Sequence, residues 1–218
     1  MNIMAIGAHP DDIEFGCSGT LMRHINVGDN IVYVCMTNTE SKSGTTGDVL
    51  RTNDELFDEV KCAVDAMGIE TLEFLDFKDL HVPFSFDSVS TLDRLIQKYK
   101  IDTIYTHWAG DSNQDHISTY KSTMAAARYV RNVYCYEQIP IPRLTENEMT
   151  INYYVDISDY MKDKIQVAEC HKSQIKKYKK IGFDVPNRLR VLAEFRGIQA
   201  NCKYAEGFHI IKKVENDY

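Results

Sequence analysis

The stretch IMAIGAHPDD, from Ile3 to Asp12, joins an apolar run to an abrupt polar turn. The run is apolar at every position, as in a central parallel strand that is covered on both faces. The turn that follows holds a histidine, a proline and two aspartates. The stretch therefore predicts a buried first strand whose carboxyl end carries polar, chemically active side chains.

Further apolar runs alternate with amphipathic helical patterns through roughly the first 140 residues, and a proline-marked bend at IPIPR (139–143) closes this part. The alternation indicates βαβ units, and right-handed crossovers predict the strand order 3-2-1-4-5. We expect an α/β fold, a Rossmann-like open, mostly parallel sheet flanked by helices, with C-terminal additions. The predicted strands cover 3–8, 31–37, 71–77, 102–107 and 133–137, with a later one at 152–157. The predicted helices cover 18–27, 49–67, 88–99, 116–130, 158–175 and 187–200.

The chain has 218 residues and a formal net charge of -7, with 25 lysines and arginines against 32 aspartates and glutamates. No basic stripe is present, so a nucleic-acid partner is not expected. The length predicts a single domain over 1–218, with a core over 1–140 and a C-terminal elaboration over 141–218. The first residues lack the features of a signal peptide, and no apolar run approaches the length of about 20 residues that a membrane span needs. We therefore expect a soluble cytoplasmic protein.

Two other patterns carry structural expectations. The six cysteines are scattered without a CxxC pair, which is typical of reduced thiols in a cytosolic protein, so we expect no disulfides. The lysine-rich run KKYKK (176–180) is interpreted as a solvated helix end.

The predicted strand order reverses between the first and fourth strands, and ligands bind in the crevice at such a switch point. The loops AHPDD and HWAGDSNQDH end there. His9, Asp12 and His116 therefore meet in one crevice, where two imidazoles and one carboxylate match the ligands of a catalytic zinc ion. A zinc-activated water next to Asp11 indicates metal-assisted hydrolysis, with Asp11 as the general base.

Structural roles compete with these functional ones. An aspartate at a strand end commonly caps the next helix, and Asp115 is expected to be the N-cap of the following helix, a carboxylate that orients a metal-bound histidine, or both. Trp108 is a candidate to stack on a sugar ring or to border the core. A dehydrogenase is disfavoured because G-x-G-x-x-G is absent. A non-enzymatic, Mg²⁺-binding receiver-like module would use Asp11, Asp12 and Asp76, but has no need of the histidines.

The motifs AHPDDIEFGCSGTL and GDSNQDH resemble those of the PIG-L/LmbE-like family of zinc-dependent deacetylases, which act on N-acetylglucosamine-type sugars. Further similar blocks run along most of the chain: Arg51 after a glycine loop, FLDFKD (74–79), the YE pair at 136–137, YVDIS and HKSQ (154–174), and RG with YAEGF (196–208).

The resemblance implies that His9, Asp12 and His116 ligate zinc and that Asp11 is the general base. The family's second motif commonly reads H-P-D-H, whereas this chain has Asn113 in place of the first histidine. An asparagine amide can donate a hydrogen bond to an oxyanion but cannot supply a proton. The general-acid role therefore passes to Asp11 or to His107.

The same resemblance implies that Arg51 binds substrate hydroxyls or an anionic group, and that the protein forms trimers or hexamers. We expect the glycine loop from Asn38 to Asp48 to contribute to specificity. The expected substrate is a small N-acetylated amino sugar or glycoconjugate intermediate. Another N-acyl substrate, such as an antibiotic or a thiol-precursor intermediate, is the alternative.

Overall fold

A computed structural model describes residues 1–42, 46–139 and 148–215 of the chain. The strands are β1 (Asn2–Gly7), β2 (Asn30–Thr37), β3 (Ser41–Lys42), β4 (Val49–Arg51), β5 (Thr71–Phe77), β6 (Thr103–Thr106), β7 (Asn132–Tyr136), β8 (Tyr153–Asp156) and β9 (Ala205–Lys212). The helices are α1 (Asp12–Asn26), α2 (Asn53–Met67), α3 (Phe86–Tyr99), α4 (Gln114–Ala126), α5 (Met161–Glu169), α6 (Lys172–Lys179) and α7 (Val185–Ala200), with a 3-10 turn at Ala127–Tyr129.

Seven strands form one sheet in the order β5-β2-β1-β6-β7-β9-β8, while β3 and β4 form a separate hairpin. The pairs from β5 to β7 are parallel, and β9 runs antiparallel to both β7 and β8. The predicted order 3-2-1-4-5 corresponds to β5-β2-β1-β6-β7 and is confirmed. The Rossmann-like class is therefore correct, and the switch point lies between β1 and β6.

The core lies on both faces of the sheet because successive side chains of a strand point in opposite directions. Ile3 and Ala5 of β1 belong to a cluster that α1, α2, α5 and α7 cover. Met4 and Ile6 belong to a second cluster, which α3 and α4 cover. All four side chains are fully buried. This two-sided burial explains the uninterrupted apolar run with which the sequence begins.

Helix α1 begins at Asp12, earlier than the predicted start at Ser18. A kink at Cys17 (φ -145°, ψ 15°) divides it. The kink frees backbone N–H groups, and Gly19 and Thr20 donate theirs to the Glu206 carboxylate at 3.0 and 2.7 Å. The second part of the helix is thus capped by a side chain from β9. The helix predicted from Ser18 corresponds to this second part alone.

Two other predicted helices have different boundaries. The segment Val49–Arg51 forms β4 instead of the first turn of a helix, and Thr52 begins α2 with a capping box that includes Glu55. The helix predicted over 158–175 is two shorter helices, α5 and α6, which are separated at Cys170 and His171.

The expectation of no disulfides is wrong. Cys62 on α2 and Cys170, just after α5, form a disulfide across 108 positions of sequence. Helices α2 and α5 pack against each other, which brings the two thiols together. Such a pairing depends on tertiary packing and leaves no spacing signal in the chain. Cys17, Cys35, Cys135 and Cys202 are free thiols.

No helix within the described ranges is both long and apolar enough to cross a membrane. The proline-marked bend that the sequence predicts over 139–143 lies, apart from its first residue, outside the described residues, as do positions 43–45 of the glycine loop.

Candidate metal centre and active-site cavity

A cavity of about 440 Å³ opens at the carboxyl ends of β1 and β6. Its walls come from the β1–α1 turn, the β3–β4 hairpin, the loop after β5, the start of α4, the segment after β7, and α6. The cavity therefore occupies the switch point of the sheet, where the sequence predicts it. His9, Asp11, Asp12, Asn113 and His116 all line it.

His9, Asp12 and His116 bring one donor atom each within 4.8 Å of one another. Nδ1 of His9 lies 3.5 Å from Asp12 Oδ2, and Nε2 of His116 lies 3.2 Å from Asp12 Oδ1. Two other groups, His107–Asp111–His116 and His9–Asp79–Asp115, also bring their donor atoms this close. Of the three groups, only His9–Asp12–His116 has every member among the described residues that line the cavity. Two imidazoles and one carboxylate fit a zinc ion with an open coordination position.

Each histidine of this triad has its second ring nitrogen held by a carboxylate. Nε2 of His9 contacts Asp115 Oδ2 at 2.9 Å and Asp79 Oδ1 at 3.2 Å, and Nδ1 of His116 contacts Asp111 Oδ2 at 2.7 Å. Carboxylates in this position fix the tautomer and the ring orientation of metal-binding histidines. The triad is therefore oriented by the protein alone.

The protonation of the triad follows from its charges. Burial alone would lower the pKa of His9, but the contacts with Asp115, Asp12 and Asp79 raise that pKa well above its usual value. Burial alone would raise the pKa of Asp12. The charge of the neighbouring His116 outweighs burial and holds the pKa of Asp12 well below its usual value. The carboxylate is therefore charged, as a metal ligand must be.

Asp11 adopts a strained backbone conformation, with φ 118° and ψ -23°. Few residues other than glycine adopt a positive φ, and such strain clusters at functional sites. Burial, followed by the charge of Asp12, raises the pKa of Asp11 to about 6. The Asp11 side chain is thus a carboxylate on the cavity wall whose affinity for a proton is well above that of an ordinary aspartate.

Asp115 orients His9 and is not the helix cap. Its fully buried carboxylate also accepts hydrogen bonds from the N–H groups of Leu80 (2.7 Å) and Val82 (3.1 Å). The N-cap of α4 is Asn113, whose Oδ1 accepts from Asp115 N at 2.9 Å. The capping role expected of Asp115 is therefore wrong, because the helix begins two residues earlier than predicted.

The cap contact also sets the orientation of the Asn113 amide. Since Oδ1 accepts the backbone N–H, Nδ2 is the atom left to act as a donor, and Asn113 lines the cavity. Nδ2 is therefore the atom that the expected hydrogen bond from Asn113 to an oxyanion would use.

His107 lies behind His116, fully buried and stacked on its ring at 3.9 Å between centroids. Its Nε2 accepts a hydrogen bond from Ala8 N at 2.9 Å. Burial, together with the charge on His116, lowers the pKa of His107 to about 4. A neutral imidazole in this position stacks on His116 and is a weak general acid at neutral pH.

The two expected substrate-binding residues differ in position. Arg51 lines the cavity, and its Nη1 donates to Pro10 O at 3.2 Å, which ties β4 to the β1–α1 turn. Trp108 does not occur among the described lining residues. Its ring lies against the ring of His209 on β9, with 4.7 Å between the ring centroids.

Several residues at or near the site were not singled out from the sequence. Asp79 contacts His9, and its position after β5 was a usable signal because parallel strands end at the same edge. Gln138 donates to Asp12 O at 3.1 Å. Lys177, within the run interpreted as a solvated helix end, lines the cavity. His171 is fully buried with Nε2 3.1 Å from Glu14, a pairing that no spacing reveals.

Asp76, which a receiver-like site would need, instead accepts a hydrogen bond from Asn38.

Comparisons with known proteins show which proteins this chain is similar to. The chain is 34% identical over 141 residues to the uncharacterized deacetylase YaiS of Escherichia coli (strain K12), across 62% of this chain and 72% of that protein. It is 25% identical over 233 residues to the diacetylchitobiose deacetylase of Thermococcus kodakarensis, across 97% of this chain and 84% of that one.

A solved structure with a similar fold is GalB, the 4-carboxy-2-hydroxymuconate hydratase from Pseudomonas putida, with a TM-score of 0.80 and 20% identity, covering 100% of this chain and 98% of that chain. Since that protein is named as a hydratase, this likeness is one of fold alone. The family match is more specific, because it covers residues 4–127 and thereby includes the whole His9–Asp12–His116 triad. The chain therefore belongs to the PIG-L family, whose description is GlcNAc-PI de-N-acetylase.

Proposed function

We propose that this protein is a metal-dependent N-deacetylase that hydrolyses the acetamido group of an N-acetylglucosamine-type sugar, giving acetate and a free amine. The observation that carries the proposal is the convergence of His9, Asp12 and His116 in a cavity that Asp11 also lines. The names of the deacetylase relatives support the reaction type.

His9, Asp12 and His116 would hold the metal, and their donor set favours zinc over magnesium because imidazole suits the softer ion. Bound zinc supplies a Lewis acid that lowers the pKa of water and polarises the acyl carbonyl. Asp115 and Asp111 keep the two imidazoles in the tautomers that leave Nδ1 of His9 and Nε2 of His116 directed at Asp12.

Asp11 moves the proton. As the attacking water adds to the carbonyl carbon, the Asp11 carboxylate takes one of its protons. The carbon–nitrogen bond then breaks, and the same proton goes to the departing nitrogen, so that the sugar leaves as an amine. One group serves as base and then as acid because His107 is neutral and Asn113 has no proton to give.

Asn113 stabilises the negative charge that develops on the acyl oxygen. Its Nδ2 group is the free donor, since Oδ1 is fixed by Asp115 N. Removing one such donor typically costs about 100- to 1000-fold in kcat.

The cytoplasmic location, which was expected from the sequence patterns, and the trimer or hexamer, which the family resemblance implies, also remain proposals. Light scattering on the purified protein tests the assembly.

The function is tested by measuring primary amine release from N-acetylglucosamine, a simple glycoside, a sugar nucleotide and a lipid-linked form. The protein is tested zinc-loaded and zinc-stripped, together with Asp11→Asn and His116→Asn. His81→Asn is the matched control, because the His81 side chain is exposed on the loop after β5 and its hydrogen bond among the described residues is to Asp79 O of that loop.

We expect amine release that requires zinc, is lost in Asp11→Asn and His116→Asn, and persists in His81→Asn. Stoichiometric zinc binding with no amine from any N-acetyl sugar would contradict the proposal and direct the search to another N-acyl substrate. An undiminished rate in the zinc-stripped protein would contradict the metal-dependent mechanism.

A further inference from the structure

The disulfide between Cys62 and Cys170 borders a second cavity, of about 410 Å³, that the candidate active site does not use. Both cysteines line it, and no described residue of its wall also lines the active-site cavity. The other described lining residues are Glu55, Asp58 and Glu59 of α2 and Lys172, Ser173 and Lys176 of α6. A small molecule in this cavity would therefore meet the disulfide without entering the active site.

The two cysteines of this disulfide differ in accessibility. Cys62 is exposed on α2, whereas Cys170 is only 8% exposed. A thiolate opens a disulfide by attacking the sulfur that it can reach, so Cys62 Sγ is the point of attack and Cys170 Sγ is the leaving group. Lys172 and Lys176 line the same cavity, and neighbouring ammonium groups favour a thiolate. The geometry is therefore that of a disulfide that can be opened from solvent.

Cys170 also adjoins a wall of the active-site cavity. It lies two residues before the start of α6, and the α6 residues that line the active-site cavity are Gln174, Lys177 and Tyr178. Glu59, one turn before Cys62 on α2, accepts hydrogen bonds from Ser173 N at 2.6 Å and from Ser173 Oγ at 2.7 Å. The disulfide and the Glu59 contacts thus hold the beginning of α6 against the same face of α2.

Buried charges connect this junction to the active site a second time. His171, directly after Cys170, is the fully buried N-cap of α6, with Nε2 3.1 Å from Glu14 and Nδ1 4.0 Å from Glu59. Glu59 in turn lies 3.8 Å from Nη1 of Arg51, which lines the active-site cavity. A displacement of Cys170 would therefore reach that cavity both through α6 and through Glu59.

We propose that the Cys62–Cys170 disulfide is an exchange site for small-molecule thiols, and that opening it weakens substrate binding by releasing α6 from α2. The exchange site is independent of the proposed deacetylase function, and its effect on substrate binding rests on that function. In the cytoplasm, the location proposed above, disulfides are usually transient and redox-sensing.

The exchange takes two steps. The incoming thiolate forms a bond to Cys62 Sγ, the bond to Cys170 breaks, and Cys170 Sγ leaves with the electron pair and takes up a proton. A second small thiol then attacks the small-molecule sulfur of the mixed disulfide and frees Cys62 as a thiol. The protein disulfide is thereby reduced to two cysteine thiols, and two small thiols are oxidised to one disulfide.

The exchange site is tested by exposing the folded protein to reduced glutathione without oxygen, blocking free thiols with N-ethylmaleimide, and mapping the peptides by mass spectrometry. A reduced thiol forms a mixed disulfide only where it opens an existing one, so the free cysteines do not react. We expect glutathione on Cys62 and N-ethylmaleimide on Cys170. The variant Cys202→Ser, which removes a free thiol, should give the same result.

The effect on the active site is tested by comparing the oxidised protein with protein reduced by dithiothreitol, which is removed before zinc is added because thiols bind zinc. Amide hydrogen exchange of α6 and the KM and kcat for amine release are measured in both states. We expect reduction to speed amide exchange in α6 and to raise KM by at least about fivefold. The kcat should change little, because Asp11 and the metal-binding triad lie on other elements.

Cys62→Ser and Cys170→Ser should reproduce the reduced state and should no longer respond to dithiothreitol, while Cys202→Ser should respond as the unmodified protein does. Circular dichroism confirms that each variant is folded at the assay temperature. Reoxidation of the unmodified protein should restore the original KM, which separates the release of α6 from irreversible unfolding.

Two results would overturn the proposal. One is a folded protein in which glutathione forms no mixed disulfide at Cys62, and the other is complete reduction with unchanged amide exchange in α6 and an unchanged KM. The second result leaves the deacetylase function standing. If no sugar releases amine in either state but glutathione still modifies Cys62 and reduction still speeds exchange in α6, the deacetylase function fails and the exchange site holds.

Discussion

His9 and Asp115 are joined by a 2.9 Å contact between Nε2 and Oδ2 that spans 106 positions of sequence. The same carboxylate holds the N–H groups of Leu80 and Val82, so one buried side chain fixes both a metal-binding histidine and a wall of the cavity. Leu80 sits there with φ 64°, a conformation that leucine rarely adopts.

Asp115→Asn should lower zinc affinity about 10- to 100-fold, because an amide holds the His9 tautomer less strongly than a carboxylate does. Competition with a chelating indicator measures the affinity. Asp87→Asn, at an exposed acidic residue in the first turn of α3, serves as the control and should leave it unchanged. An unchanged affinity in Asp115→Asn would show that Asp79 alone can orient His9.

Asp11→Gly should abolish deacetylation and raise the stability of the metal-free protein by about 1–3 kcal/mol. Glycine adopts φ 118° without strain, and the change also removes a buried carboxylate. Urea unfolding followed by circular dichroism measures the free energy of unfolding. A destabilised Asp11→Gly would mean that the aspartate side chain contributes more through its contacts than its backbone strain costs.

Zinc affinity should increase with pH across the neutral range. The carboxylates around His9 raise its pKa, so without metal His9 stays protonated at and above pH 6.5, and zinc must displace that proton. Affinity is therefore lost as the pH falls below the raised pKa, by about tenfold per pH unit for each proton displaced. Affinities measured between about pH 6 and pH 8 by indicator competition test this, and a flat profile would contradict the raised pKa.

Glu206→Gln should destabilise the protein by about 3–5 kcal/mol, since it removes the carboxylate 2.5 Å from the buried Lys164 ammonium and weakens the cap of the kinked α1. The comparison is Glu215→Gln, which breaks the exposed pair with Lys213 and should cost less than about 1 kcal/mol. Denaturant unfolding of both variants gives the difference, and equal costs would argue against the capping role.

The purified protein, denatured without reductant, should show four reactive thiols out of six cysteines. Cys170→Ser should lower the free energy of unfolding by about 2–5 kcal/mol, because the disulfide closes a long loop in the unfolded chain. Cys202→Ser, which removes a free thiol, should have little effect. Six reactive thiols would show that Cys62 and Cys170 remain reduced.

The fold was predictable where one pattern dominates. The apolar runs of β1 and β2 and the alternation with helices were enough for the strand order, because short uninterrupted apolar runs between helices are typical of parallel strands buried on both faces. The predicted helix boundaries were wrong where tertiary contacts override the local sequence pattern. Glu206 permits the kink at Cys17, pairing with β3 makes Val49–Arg51 a strand, and the break before α6 places Cys170 opposite Cys62.

The candidate site was likewise predictable only in part. The convergence of His9, Asp12 and His116 was predictable because strand ends at a switch point converge whatever the details of packing. The role of Asp115 and the position of Lys177 were not, since each depends on where a helix begins or which way a helix faces. A sequence of lysines such as KKYKK contains no indication that one of its members lines a cavity.

The spacing of the triad also sets a time at which the protein can acquire its metal. His9 and Asp12 leave the ribosome early, while His116 follows roughly one hundred residues later and reaches them only when β6 has paired with β1. A nascent chain that has made β1 and β2 alone offers two of the three ligands. In the proposed metalloenzyme we therefore expect stable metal capture to follow assembly of the central strands, late in biosynthesis.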